Sequence, residues 1–386
     1  MQLIARLIAG IVIGMLIGLF APEGATRVLM TFTELFGELL FFTIPLLILF
    51  FISSGIAALP RNSGRLLGRS LLLAYSSTIV AGVLAFLLAA LLVPMLTGSG
   101  AEAVDTNGVQ LTPFIEMDVP PVFNVMTALV LAFVFGLGIA ATQAPTLKTL
   151  ADEGKAVINE LLLRVIIPLL PFYIAGVFAE LAATGTVFQT LQTFGVVLVL
   201  ALALHWVWIS SLFLVAALRS EASPLQLIRN MLPAYFTALG TMSSAATIPV
   251  SLQCSKRNGV NEAVADFTVP LFATTHLAGS TITIVSCTVA VMSLQSGLEI
   301  PSLFAMLPFI FMLGIVMLAA PGVPGGAVIS AVGLLGTMMG FGEAAVALMI
   351  ALYMAQDSLG TACNVTCDGA LALLVNQSGA IGEEAD

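Results

Sequence analysis

From Ala344 to Val375 the chain is apolar except for a stretch, Tyr353 to Leu371, that carries Gln356, Asp357, Ser358, Thr361, Asn364, Thr366 and Asp368. Read as a helix, Asp357, Thr361, Asn364 and Asp368 recur at i, i+4, i+7 and i+11 and share one face. A carboxylate at the centre of a bilayer costs about 2.5–3.5 kcal/mol on insertion scales, and this face has two. Lipid cannot cover it. The face needs water, cations or partner dipoles, so the chain must enclose it. Polar contact between neighbouring helices is one use for such a stripe; a binding site for a cation and a polar solute is the sharper one.

With 386 residues, 59% hydrophobic and 9% charged, the chain is too apolar for a soluble core and surface to coexist, and it reads as an integral membrane protein. The net charge of −9 is scattered over loops, the tail GEEAD and the stripe, which argues against a nucleic-acid partner. Cys254, Cys287, Cys363 and Cys367 all sit in apolar context without a CxxC. Although Cys363 and Cys367 are one turn apart, no histidine is near in sequence, and small buried hydrophobes are the better account. The opening MQLIARLIAGIVIGMLIGLF resembles a secretory signal. Its apolar run is longer than such a signal needs and more spans follow, so it reads as an uncleaved first helix.

A span takes about 20 apolar residues. On that measure helices are expected near residues 3–20, 33–58, 68–96, 121–142, 156–182 and 191–218. Arg61, Arg65 and Arg69 follow the second, Lys148 and Lys155 the fourth, Arg219 and Arg229 the sixth. The intervening loops, 97–120 with Glu102 and Asp105, and 183–190, have no Lys or Arg. Alternating basic loops place the amino terminus in the cytoplasm, and the carboxyl terminus with it. Arg27 is the exception. Arg164, inside the fifth span, reads as a snorkelling side chain.

After Arg229 the apolar segments shorten and are broken by Gly, Pro and Ser. Residues 231–255 are flanked by Arg229 and by Lys256 and Arg257, so the segment should enter and return as a re-entrant hairpin with its tip near Thr241 to Pro249. Residues 303–340 repeat the plan, with LAAPGVPGGAVIS at the break. Each hairpin precedes a helix interrupted by polar residues: ATTHLAGSTIT (273–283), then the stripe. One more span between the two units gives them opposite orientation. Irregular backbone at membrane depth survives only inside protein or beside a wet cavity. Free carbonyls at the breaks suit a cation, and hairpin-helix N-termini suit a carboxylate. Inverted repeats meeting at mid-membrane are the signature of secondary transporters.

Four segments now carry a resemblance: SSAATIPVS (243–251), ATTHLAGST (273–281), PGVPGGA (321–327) and QDSLGTACNVTCD (356–368). In this order they resemble the serine-rich hairpin, the N-M-D-G-T motif, the Gly/Pro-rich second hairpin and the last helix of the dicarboxylate/amino acid:cation symporters, the glutamate-transporter-like family, over about residues 3–376. The resemblance implies an all-α integral membrane fold of eight transmembrane helices plus two re-entrant hairpins, a homotrimer, and an elevator motion. Residues 1–66 and 99–190 would be scaffold; 67–98 and 191–386 would be the moving transport domain, with the second hairpin as gate.

The implied substrate set is Ser243, Ser244 and Thr247 in the first hairpin, Gly322, Val323, Pro324 and Gly325 in the second, and His276, Asp357, Gly360, Thr361 and Asn364. Asp357 matches the position that binds an ammonium, and the serines the receiver of an α-carboxylate. Gly360 stands where acidic-substrate members have arginine. A side-chain carboxylate would be left unpaired there, so a neutral L-amino acid is expected, nearest to serine/threonine-type members, possible extra bulk being admitted by the glycine. The implied sodium ligands are Asp368 with the Asn364 carbonyl, and Thr274 with carbonyls at Leu318 and Ala320; Phe272 and His276 complete the candidate set. His276 and Ala278 replace the Asn and Asp of N-M-D-G-T. Tyr75, Ser76, Ser77 and Thr78 keep hydroxyls, but the anion is gone, so two sodium ions are expected and the third site lost. His276 reads as a packing histidine, with proton coupling or substrate contact as alternatives; His205 reads as structural.

A sodium- or proton-coupled dicarboxylate symporter of the same fold is the alternative function. An intramembrane serine hydrolase built on Ser243 or Ser244 with His276 lacks any GxSxG context, and the hairpin accounts for the serines. A channel could line its pore with re-entrant hairpins, but broken helices and a zwitterion-like set of groups favour an occluding carrier. No enzymatic activity is expected.

Overall fold

The computed structural model describes residues 2–58, 64–97, 111–295 and 297–378, and among them all regular structure is helical. Arg61, Glu102, Asp105 and the tail GEEAD, used above for charge and orientation, lie outside the described residues, as does the side chain of Arg65.

The first group of helices comprises α1 (Gln2–Phe20), α2 (Glu23–Ala57), α4 (Val125–Thr142), α5 (Pro145–Leu161) and α6 (Ile167–Ala183), the last two joined through a π turn, Leu162–Ile166. These pack chiefly on one another. Gly10, Gly14 and Gly18 of α1 lie on Pro171, Ala175 and Ala179 of α6, so closely that a Cβ at Gly14 or Gly18 would overlap the Ala175 or Ala179 carbonyl. Small residues permit this approach, and dispersion between close backbones holds helices together where lipid supplies no hydrophobic drive.

Two elements begin well before their expected limits, by ten residues or more. The second helix starts at Glu23 instead of residue 33, and the fifth at Pro145 instead of 156, because both extensions are polar and hydropathy alone ends them early. Arg27, the charge that broke the alternation, donates from Nε to the Thr112 carbonyl at 2.8 Å and lies 4.2 Å from the centre of the Phe114 ring. It pins the segment before α4 to α2. In α5, Asp152 accepts from Ser54 Oγ of α2 at 2.7 Å. Arg164 pairs with Glu160 and its side chain is 80% exposed, which agrees with a snorkelling role.

The second group comprises α3 (Gly64–Thr97), α7 (Val187–Ala217), and two repeats of a helix pair followed by a broken helix. The first repeat is α8 (Pro224–Thr241) with α9 (Ser244–Arg257), then α10 (Glu262–Thr275) and α11 (Ala278–Leu294), broken at His276 and Leu277. The second is α12 (Leu303–Met317) with α13 (Gly326–Met339), then α14 (Glu343–Met354) and α15 (Asp357–Gln377), broken at Ala355 and Gln356. Both breaks fall inside the segments singled out from sequence. The first pair turns at Met242, φ 54°, and Ser243, whose Oγ accepts from Ala246 N at 3.3 Å to cap α9.

Helix α15 is nearly buried throughout and packs against α7, α8, α9 and α11, while α11 also packs along α3. The helix that carries the polar stripe therefore occupies the centre. The two groups touch mainly where α13 meets α2 and α4, and α14 meets α6 and α1.

Candidate functional site

The tips of both helix pairs and both breaks converge on one small cavity of about 30 Å³, lined by Met242, Ser244, Ala273, Thr274, Leu277, Ser280, Ala320, Pro321, Gly322, Val323, Ala327, Tyr353, Asp357, Thr361 and Asn364. That is room for about one water. The tips touch: Ser243 Oγ donates to the Gly322 carbonyl at 3.4 Å.

Asp357 starts α15 and is 4% exposed. Its Oδ2 accepts from Gly325 N at 2.8 Å. Gly325 sits just before α13 with φ +76°, a left-handed conformation that glycine adopts without steric cost, and this aims its N–H at the carboxylate. The second tip is thus latched to α15 by an N–H donating to a charge. Thr361 donates to the Asp357 carbonyl at 2.8 Å, so its hydroxyl is held within α15.

Asn364 is used twice over. Its Oδ1 accepts from Gly279 N at 2.7 Å and Ser280 N at 3.2 Å, and its Nδ2 donates to Ser280 Oγ at 2.9 Å. It caps the start of α11, where Leu277 offers no side-chain cap, and satisfies two N–H groups that the break would otherwise leave open.

Asp368, 2% exposed, does not line the cavity. Its Oδ1 lies 2.8 Å from His276 Nδ1, and His276 Nε2 lies 2.9 Å from Ser77 Oγ. A Ser77 hydroxyl donating to Nε2 fixes the tautomer with its proton on Nδ1, which then donates to Asp368. The series resembles a Ser-His-Asp triad in order only: Ser77 is buried within α3, and neither Ser243 nor Ser244 bonds His276, so the hydrolase arrangement weighed from sequence does not form. His276 is likewise absent from the cavity lining.

Gly360 is absent from that lining too. A Cβ there would meet Thr283 Oγ1 at 3.4 Å and the Gly279 carbonyl at 3.5 Å, so the glycine serves the close crossing of α15 with α11. Behind it, His205 Nε2 bonds the Gly279 carbonyl at 3.0 Å and Thr283 Oγ1 at 3.1 Å, consistent with a structural histidine. Thr247 is fully buried and donates to the Ser243 carbonyl at 2.9 Å. Pro324 faces a different space, beside Leu3, Arg6 and Thr241.

Among the candidate sodium ligands, Thr274 and Ala320 line the cavity. Leu318 lines a neighbouring cavity of about 360 Å³ that runs from the second tip past Gly55, Ala58, Leu71 and Lys155. The Phe272 carbonyl accepts from His276 N at 2.8 Å as α10 ends. Asp368 is engaged by His276 away from the cavity, and the Thr274 hydroxyl donates to the Leu271 carbonyl at 2.9 Å.

Tyr353 was not expected. Its side chain lines the cavity and its buried hydroxyl stands beside Asp357 and Ser280, outside strict hydrogen-bond geometry; one turn before Asp357, it lies on the polar face that helical periodicity defines. Ser280, Met242 and Pro321 also join the lining; each lies in a segment singled out from sequence without being named there as a site residue.

The family model described as the sodium:dicarboxylate symporter family matches residues 3–378.

Proposed function

We propose that this chain, which belongs to the sodium:dicarboxylate symporter family, uses the sodium gradient to import a small neutral amino acid. Members of the family are transporters and not enzymes; coupling to sodium, a small-molecule substrate and residence in a membrane follow from membership.

The observation that carries the neutral substrate is the composition of the cavity wall: one carboxylate, Asp357, several hydroxyls and amide groups, and no Lys or Arg. A zwitterion asks for one anion facing its ammonium and N–H donors facing its carboxylate. Asp357 supplies the first, and the N-terminus of α9 beside Ser243 and Ser244 supplies the second. A second substrate carboxylate would enter a nearly dry space without a cation. The Tyr353 hydroxyl, which lines the cavity beside Asp357, is a further polar group for the substrate.

Gating follows from size. A cavity that holds one water admits an amino acid only after the second tip moves, and the bond from Gly325 N to Asp357 is what the incoming ammonium displaces. The larger cavity beside that tip runs past Ala58, Leu71 and Lys155, on the side that charge alternation assigns to the cytoplasm, which supports reading this conformation as inward-facing. In this reading the two helix pairs are re-entrant hairpins, the first helix group is the scaffold and the second the transport domain. Their limited mutual contact supports an elevator motion; the homotrimer and the cell membrane are what the family resemblance implies. Asp368 with the Asn364 carbonyl, and Thr274 with carbonyls at Leu318 and Ala320, would hold two sodium ions and thereby close the tip over the substrate.

Uptake into proteoliposomes, screened with the twenty amino acids and C4 dicarboxylates under an inward sodium gradient, tests this reading. Saturable sodium-driven uptake of a neutral L-amino acid is expected. Uptake confined to aspartate, glutamate or dicarboxylates overturns it.

A further inference from the structure

Most polar groups around the small cavity are already engaged. The Thr274 hydroxyl donates to the Leu271 carbonyl at 2.9 Å, and that of Thr361 to the Asp357 carbonyl at 2.8 Å. Asn364 spends its oxygen on the start of α11 and its nitrogen on Ser280 Oγ at 2.9 Å. Tyr353 differs. The residue is fully buried, its side chain lines the cavity, and its hydroxyl makes no hydrogen bond of strict geometry although Asp357 and Ser280 stand beside it. Leaving a buried phenol in that condition is costly, so the molecule that enters the cavity should complete it.

A zwitterion with its ammonium at Asp357 and its carboxylate at the N-terminus of α9 leaves its side chain the rest of the wall, which includes Ala273, Leu277, Ser280, Ala327 and Tyr353. Phenols both donate and accept. An ionised Asp357 only accepts, so the Tyr353 proton turns to the carboxylate and the phenol oxygen keeps its lone pairs for the substrate. That oxygen asks for a donor. A side-chain hydroxyl is one, a methyl group is not, and a side-chain carboxylate would set acceptor against acceptor.

We propose that Tyr353 is a specificity-determining residue that selects a small amino acid with a side-chain hydroxyl over its counterpart without one. The inference rests on the zwitterion reading above and names the side chain that reading leaves open. A buried polar group built to meet a substrate hydroxyl penalises the analogue that leaves it unpaired, and one such bond is worth about tenfold or more in discrimination.

Competitive uptake by the full-length protein in proteoliposomes tests this with serine against alanine, and threonine against the isosteric valine. The unaltered protein should favour the hydroxyl member of each pair by about tenfold or more. Tyr353→Phe removes one oxygen, keeps the ring, and should bring both ratios toward one. Ser244→Ala weakens the seat of the α-carboxylate that all four share, so it should slow both members of a pair alike and leave the ratios in place. Ratios near one in the unaltered protein overturn the proposal whether or not the variant folds, and so do ratios that survive in Tyr353→Phe; in both cases a neutral amino acid is still carried and the zwitterion reading stands. Uptake of neither pair also overturns it. Should another neutral amino acid then enter, only this inference falls; should only acidic substrates enter, the zwitterion reading falls with it.

Discussion

His276 and Asp368 are 92 positions apart, and nothing in a single sequence joins them. Helical periodicity was enough to put Asp357 and Asp368 on one enclosed face, and both are buried, but it could not say that Asp357 meets Gly325 while Asp368 meets a histidine. That division depends on where the break in α10 and α11 sits against α15, a tertiary fact. Tyr353, four residues before Asp357, was within reach of the same periodicity. His276 now has a measurable consequence. Removing it leaves the Asp368 carboxylate buried without its donor, a loss on the order of 3 kcal/mol. Ser77→Ala removes a hydroxyl from the far nitrogen of the ring, a loss of about 1 kcal/mol. Thermal unfolding of purified variants should therefore show a larger fall for His276→Ala than for Ser77→Ala, with His276→Asn between them, because an amide N–H can still reach the carboxylate. Equal falls for the two alanine variants would mean the ring does not hold Asp368.

At the scale of elements, Gly, Pro and Ser punctuation located both helix pairs, and runs of polar residues located both breaks, since irregular backbone at membrane depth needs polar surroundings. Hydropathy misjudged α2 and α5 because their extensions are stabilised by specific partners: Thr112 and Phe114 for Arg27, and Ser54 for Asp152. Those partners are distant in sequence. The α1 contact, by contrast, was written in the chain. Gly10, Gly14 and Gly18 recur every four residues, the spacing that lets two membrane helices approach closely. Gly14→Val should push α1 off α6, since a Cβ there overlaps the Ala175 carbonyl, and overpacking of this kind costs about 1–3 kcal/mol. Gly24→Ala is the control, because a Cβ at Gly24 meets nothing within 4 Å. Unfolding in detergent should distinguish the two; indistinguishable stabilities would show that the α1 and α6 backbones are not held at this separation in solution.

For the molecule as a whole, the decisive property is that two helix groups meet over a restricted area while the cavity and its polar helices belong almost wholly to one of them. A carrier that moves its site as a body requires this separation, whereas a pore formed along the boundary would need both groups to line the path throughout. Gly55 at the end of α2 and Ala319 at the second tip bring the question to a single bond. A Cβ at Gly55 would stand 3.3 Å from that of Ala319, near the roughly 3.8 Å that a disulfide requires. The four native cysteines are buried and so do not compete in an oxidation. In the Gly55→Cys, Ala319→Cys double variant, oxidation should stop both net uptake and exchange of labelled for unlabelled substrate, and reduction should restore them. Each single variant should be indifferent to oxidant. If the oxidised double variant, with its cross-link verified by mass, still exchanges substrate, then the second tip neither opens nor travels during transport. Passage would then have to be explained by rearrangement within a fixed frame.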